Sequence, residues 1–342
     1  MTVSARPGAR NLITDVAGLS VGQAEDAPAR SGVTVILIDA LATAGCSVMG
    51  GGPGTRETDA LAAENLVSGL DAVVLAGGSV YGLAAADGVA AWLGAHGRGF
   101  RLAVREGVPP SPIVSAAILY DLANGGDKAW GLEPPYRRLG IAAAEAAGAD
   151  FALGSAGAGY GAMAGMLKGG TGSASAITAD GFTVGAIVAV NSFGSVIAPG
   201  GRSFWAAPYE AVGEFGGLGP AGLRAGLDDW GAAKTAALPR ANTTIACVAT
   251  DVALTPGQAK RVAIMAQDGL ARAIRPAHAP TDGDVVFALS TARRPLPEPG
   301  PLALARIGAL AADCLARAIA RGVFEAAPWP DGKALCWRDL PA

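Results

Sequence analysis

The chain has 342 residues, a formal net charge of −3, 51% hydrophobic residues and only 16% charged ones. With no block of basic residues, that balance argues against nucleic acid or an acidic membrane surface as a partner. So little charge beside so much Ala and Gly points instead to extensive buried contact between layers or subunits, in a chain long enough for one large domain or two ordinary ones.

In chain order, Met1 to Arg10 carries charges but no apolar segment of the signal-peptide kind, and no apolar run is free of Gly or polar breaks for long enough to span a bilayer. Val33 to Ile38 and Ala72 to Ala76 read as strands. Two Gly-rich loops, Gly50–Gly54 and Gly77–Gly82, match neither a dinucleotide fingerprint nor a P-loop. Tight packing and close backbone approach near a cleft is the better reading for both, with Tyr81 as a pocket wall. Gly82 to Leu93 and Tyr136 to Ala147 read as helices, Phe182 to Val190 as a strand. Pro199 to Asn242 carries Gly, Pro and Trp at short intervals, with weak helical character near Ala221 to Leu238. It reads as a long surface loop, of a length usually tied to function.

Thr244 to Thr250 is the next strand. Pro256 to Ile274 is a helix that Thr255 can cap, with Pro256 fitting its first turn. Ala259, Val262, Ala263, Ala266, Gly269 and Ala273 fall on one face of it, small enough for close packing on a sheet. Val285 to Ser290 is a strand, and Leu302 to Ala320 a helix with its stripe at Ile307, Leu310, Ala311, Cys314, Ala318 and Ile319. This last quarter is an α/β layer.

The cysteines Cys46, Cys247, Cys314 and Cys336 form no CxxC pair and sit in apolar settings, as reduced thiols of a cytoplasmic protein do. No metal or cofactor is expected. The two histidines, His96 in a Gly-flanked turn and His278 between prolines, give a Ser–His–Asp or Cys–His enzyme little support. A general base would come from another group. The segment Asn242-Thr243-Thr244-Ile245 offers one. A threonine hydroxyl needs a base, and a free α-amine on the same residue, with a pKa of roughly 8, can serve. That amine exists only if the Asn242–Thr243 bond breaks. Taken alone, the segment most simply starts a strand.

A wider set of motifs changes that reading. They are Asn11-Leu-Ile-Thr-Asp-Val-Ala-Gly-Leu-Ser-Val-Gly22, Gly51-Gly-Pro-Gly-Thr-Arg-Glu-Thr-Asp59, Gly77-Gly-Ser-Val-Tyr-Gly-Leu83 and Ile113-Val-Ser-Ala-Ala-Ile-Leu-Tyr-Asp-Leu122. Lys168-Gly-Gly-Thr-Gly-Ser-Ala-Ser175, Val190-Asn-Ser-Phe-Gly194, Asn242-Thr-Thr-Ile245 and Pro280-Thr-Asp-Gly-Asp284 follow. In this order, over nearly the whole chain, they resemble the DmpA-type family of L-aminopeptidase/D-esterases, which includes the β-peptidyl aminopeptidases and the nylon-oligomer hydrolases.

The resemblance implies a four-layer α-β-β-α sandwich, layered like the N-terminal-nucleophile hydrolases but differently connected. It implies one α/β domain over residues 1–342 that cuts itself between Asn242 and Thr243, giving chains 1–242 and 243–342. Thr243 would be the nucleophile and Asn191 the oxyanion-hole amide, where the bland alternative is an Asn starting a turn. Tyr120 would donate from its phenol, the alternative being a helix-face aromatic filling the core. Asp282 and Asp284 would hold and tune Thr243, as in the nylon-oligomer type, or simply form a turn. Lys168 is the counterpart of the family's lysine in this region, on a placement that needs a two-residue shift. The implied substrate is a small peptide or amide, or a linear 6-aminohexanoate oligomer, and the implied assembly a homo-oligomer with a tetramer as its expected size. Two competing readings are an acyltransferase of the ornithine acetyltransferase type and an unprocessed binding module.

Overall fold

The computed structural model describes residues 4–67, 69–103, 105–221, 223–234 and 242–341. Among these residues there are twelve strands: β1 (Ala5–Arg6), β2 (Leu19–Asp26), β3 (Ser31–Val48), β4 (Thr55–Arg56), β5 (Gly69–Ala76), β6 (Val114–Ile118), β7 (Met163–Ala164), β8 (Leu167–Lys168), β9 (Gly170–Thr178), β10 (Thr183–Asn191), β11 (Thr243–Val252) and β12 (Val285–Arg294). The four α-helices are α1 (Ala84–Ala95), α2 (Tyr136–Glu145), α3 (Pro256–Ala273) and α4 (Gly300–Phe324). The five strands and four helices expected from the sequence all form, each with ends shifted by a few residues, except that β3 runs ten residues beyond Ile38.

That extension shapes the fold. The first half of β3 pairs with β2 and with β5, Val33 opposite Ala76 through Leu37 opposite Ala72. After a register break around the exposed residues Asp39 to Leu41, its second half pairs with β12, Thr43 opposite Ser290 through Val48 opposite Val285. One strand thus serves two sheets, one ordered β1-β9-β10-β11-β12-β3 and the other β3-β5-β6-β4 with β2 on the far side of β3. Side-chain alternation sorts their residues into three cores. Ile245, Cys247, Val285 and Phe287 face Ile36, Ile38, Val73 and Leu75 between the sheets. Ala246, Val248, Val286 and Ala288 face α3 and α4, while Val33, Val35, Ala72 and Val74 face α1 and α2. The result is helix, sheet, sheet, helix. Strands buried on both faces read as unbroken apolar runs rather than alternating ones, and for that reason β5, β10, β11 and β12 were visible in the sequence.

Strand β9, by contrast, carries no large apolar residue except Ile177 and has no strand signature. Its residues are small because α4 lies against it. A Cβ on Gly172 would stand 1.8 Å from the Ala318 carbonyl oxygen, and one on Gly170 2.2 Å from that of Gly322. The α3 start follows the sequence: Thr255 Oγ1 accepts from Gln258 N (3.3 Å) and Gln258 Oε1 accepts from Thr255 N (2.8 Å). Among the described residues, no helix is long and apolar enough to cross a membrane.

The described part of the long segment before residue 242 is only partly the surface loop its composition implies: residues 224–231 are exposed, but others are anchored in the core. It makes turns rather than a long helix, and Phe204, Ala206 and Phe215 are buried beside Trp337 in the α3/α4 core. Glu214 forms a buried ion pair with Arg317 (2.5 Å) and lies 3.7 Å from Arg321, both on α4. The weak helical character expected near 221–238 falls partly on residues 222 and 235–238, outside the described ones.

Close packing of β9 on α4 yields a stability test. Gly172→Ala overpacks a rigid backbone contact and is expected to lower unfolding free energy by ~1–3 kcal/mol, read by denaturant titration. An unchanged midpoint would contradict the packing described.

Candidate functional site

The ends of β3, β6, β10, β11 and β12 converge at one edge of the sandwich. β10 and β11 pair antiparallel without a register break from Val184–Thr250 to Asn191–Thr243. Directly opposed residues on one face bring their Cβ atoms to about 4.5–5.5 Å. Asn191 and Thr243 share the parity of Ile187, Ala189, Ile245 and Cys247, which fill the inter-sheet core. The sheet register therefore sets the amide beside the hydroxyl.

Thr243 is buried, and its Oγ1 hydrogen-bonds the carbonyl oxygen of Asn242. The Asn242 side chain is buried too. Its Nδ2 lies 3.4 Å from Thr281 Oγ1, while its Oδ1 has no hydrogen-bond partner among the described residues. Asn191 is held from both ends: Oδ1 accepts from Met163 N (2.9 Å), and Nδ2 donates to the Tyr120 carbonyl (3.0 Å). Tyr120 lies just beyond β6 and not on a helix, so the helix-face alternative is excluded. Its observed contribution to Asn191 is a main-chain oxygen.

The turn leading into β12 presses against the nucleophile candidate. A Cβ on Gly283 would meet Thr243 Oγ1 at 2.7 Å and Gly52 O at 2.8 Å. Asp282 and Asp284 flank this glycine and both are buried. Asp284 Oδ1 accepts from Thr244 N (2.8 Å), and its Oδ2 accepts from His278 N (3.2 Å) and lies 2.9 Å from His278 Nδ1. Asp282 accepts from Phe193 N (3.2 Å) and Ala279 N (3.1 Å). Burial, reinforced by the neighbouring Asp284 charge, pushes Asp282 up to about 7. The turn and the acidic pair thus coexist in one segment. The Gly50–Gly54 loop packs on it by close backbone approach, with Gly52 N donating to Asp282 O (2.7 Å) and no room for a Cβ on Gly50 or Gly51.

Lys168 is fully buried, but it faces elsewhere. Its Nζ donates to Gly169 O (2.8 Å) and Gly159 O (3.2 Å) and stands 5.5 Å from the Trp329 ring centre. Burial brings it down to about 7. Among the described residues it makes no hydrogen bond or ion pair with Thr243, Asn191, Asp282 or Asp284. Two groups in the cluster escaped the sequence reading. His278, set aside as a residue between prolines, supports Asp284. Lys234, in a segment without periodicity, places Nζ 3.3 Å from Asn191 O and 3.5 Å from Asn191 Oδ1. Only its position nine residues before Thr243 was visible beforehand, and spacing along an irregular segment carries no contact information.

The model of peptidase family S58 matches residues 11–334. An uncharacterized aminopeptidase of Mycobacterium tuberculosis is 46% identical over 336 residues, covering 93% of this chain and 95% of its own. A 6-aminohexanoate-oligomer endohydrolase of a Kocuria species is 31% identical over 305 residues, covering 85% and 78%. The structure of an L-aminopeptidase D-Ala-esterase/amidase from Ochrobactrum anthropi, described as a variant of the Ntn-hydrolase fold, superposes with a TM-score of 0.67. It does so at 22% identity, over 94% of this chain and 88% of that one.

The Asp282 environment has a signed consequence. A carboxyl with a raised folded-state pKa keeps its proton in the native chain while the unfolded chain has already lost it. Native stability therefore falls as pH rises from about 4 to about 7. In a Thr243→Ala background, the stability difference between Asp282→Asn and its parent is expected to shift in favour of Asn across that window. Denaturant titrations at pH 4.5 and 8 read the difference, and a constant difference would contradict a raised Asp282.

Proposed function

Since the chain belongs to peptidase family S58, and is thereby a hydrolase of amide bonds, we propose that Thr243 is its nucleophile, exposed when the chain cuts itself between Asn242 and Thr243. The observation that carries this reading is the placement of Thr243. Its hydroxyl rests on the preceding carbonyl group, opposite the Asn191 amide and against the Asp282-Gly283-Asp284 turn.

In the uncut chain, Thr243 Oγ attacks the Asn242 carbonyl carbon. The hydroxyl proton passes to the departing Thr243 nitrogen, and the resulting ester is hydrolysed by water. The freed α-amine, with a pKa of roughly 8 before its surroundings act, then takes the Oγ proton when the hydroxyl attacks a substrate carbonyl. Asn191 Nδ2 donates to the oxyanion, a contribution worth about 3–4 kcal/mol in comparable sites. Tyr120 O fixes the plane in which the second Nδ2 proton lies. The ammonium protonates the leaving amine, and water hydrolyses the acyl-Thr243 ester with the amine again as base. Asp282 and Asp284 hold the segment, and Asp284 anchors Thr244 N, the amide just after the new terminus.

The two pieces would stay together after the cut. β11 lies between β10 of the first piece and β12 of its own, β12 in turn pairs with β3, and Glu214 binds Arg317 across the same division. Short peptides and amides are the substrates we favour, because the more similar relative is named an aminopeptidase. Linear 6-aminohexanoate oligomers are the second class to assay. We place the enzyme in the cytoplasm as a homo-oligomer, on its apolar composition and four buried free thiols.

The variant series Thr243→Ala and Thr243→Ser tests this on an aminoacyl p-nitroanilide. Thr243→Ala is expected to lose at least about 10³-fold in kcat, while Thr243→Ser, with hydroxyl and amine retained, keeps measurable turnover. Undiminished turnover by Thr243→Ala would overturn the assignment.

A further inference from the structure

Lys234 is a buried cation on the segment preceding the cut, outside every motif that points to this chemistry. Its main-chain N donates to Phe193 O (2.9 Å), which fixes its segment alongside residues 191–193. Its Nζ reaches both carbonyl oxygens of Asn191, main-chain at 3.3 Å and side-chain at 3.5 Å. The same short stretch presents Phe193 N to Asp282, whose carboxyl attracts the lysine. We propose that Lys234 is a positioning residue for this site: it locks the Asn191 amide in one orientation and balances the Asp282 carboxylate. The inference rests on the reading of Asn191 and Thr243 given above.

An ammonium has three donors and no acceptor, and a side-chain amide has a donor end and an acceptor end. Asn191 Oδ1 meets two donors, Met163 N and Lys234 Nζ, while Nδ2 meets an acceptor, Tyr120 O. Flipping the amide would set NH₂ against two donors and oxygen against oxygen. Replacing Lys234 by an apolar residue removes one of the groups that forbid the flip.

Among the described residues, the titratable groups that face Asp282 are Asp284 on its own turn and Lys234 from the preceding segment, and His278 lies behind Asp284. Burial and Asp284 disfavour ionisation of Asp282; the main-chain N–H groups of Phe193 and Ala279 oppose them, and Lys234 adds a positive charge on the same side. Burial also draws Lys234 down to about 7, with Asp282 opposing.

Lys234→Met and Lys234→Arg test the proposal. In the Thr243→Ala chain, ¹³C-labelled Asp282 is titrated by NMR and the Asn191 side-chain amide protons are followed. Lys234→Met is expected to move the Asp282 midpoint upward and to shift both Asn191 amide resonances, while Lys234→Arg stays close to the parent. In the Thr243 enzyme, Lys234→Met is expected to lose on the order of tenfold in kcat with KM little changed, less than the ~10²–10³ that removing an oxyanion donor costs, and Arg restores most of it. An unmoved Asp282 midpoint or unmoved Asn191 resonances in Lys234→Met overturns the proposal. A Thr243 chain that turns over no substrate counts against the nucleophile assignment alone, since the titration and the amide resonances still decide the role of Lys234.

Discussion

The pairing of β10 with β11 runs through eight successive residues without a bulge and ends on Asn191 opposite Thr243. Both strands are buried on both faces, one against the second sheet and one against α3 and α4. A one-residue slip would turn every side chain of β11 to the wrong core. The same constraint that keeps Ile245 and Cys247 between the sheets therefore keeps the Thr243 hydroxyl beside the Asn191 amide. Catalytic geometry of this kind needs placement to within a fraction of an ångström, and here it is inherited from a register that hydrophobic burial enforces. The acidic turn joins through the next strand pair, because β12 begins at Val285 opposite Ile245.

Around that fixed pair lies a polar cluster with few charges to spare. Asp282 and Asp284 are buried within one turn, their oxygens taken up by main-chain N–H groups and His278. Two carboxylates this close cannot both ionise cheaply in a buried setting. A buried cation reaching the same stretch of backbone is the counterweight. Gly283, Gly50 and Gly51 allow the approach, since side chains at these positions would drive the turn away from Thr243.

Much of this was legible in the sequence, for identifiable reasons. β5, β10, β11 and β12 are apolar on both faces and stand out as runs. Helix α3 announces itself by Thr255 and Pro256. Asn191, Thr243, Asp282 and Asp284 came from motif order, and the structure brings these four into one cluster. What stayed hidden follows from packing. β9 is built of Gly, Ala and Ser because a helix backbone lies on it, and small residues carry no strand signal. The segment after Pro199 looks like an exposed loop because its anchors, Phe204, Phe215 and Glu214, are scattered without period. Lys168 was chosen for its motif but faces the carbonyls of Gly159 and Gly169, while Lys234, which touches Asn191, belongs to no motif.

The central claim is that the geometry around Asn242 and Thr243 serves bond cleavage, first in the chain itself. The measurement that bears on it most directly is the intact mass of freshly purified protein under denaturing conditions, with N-terminal sequencing of each species. The account predicts two chains, residues 1–242 and a second beginning at Thr243. A single 33.7 kDa chain that persists through long incubation would contradict it.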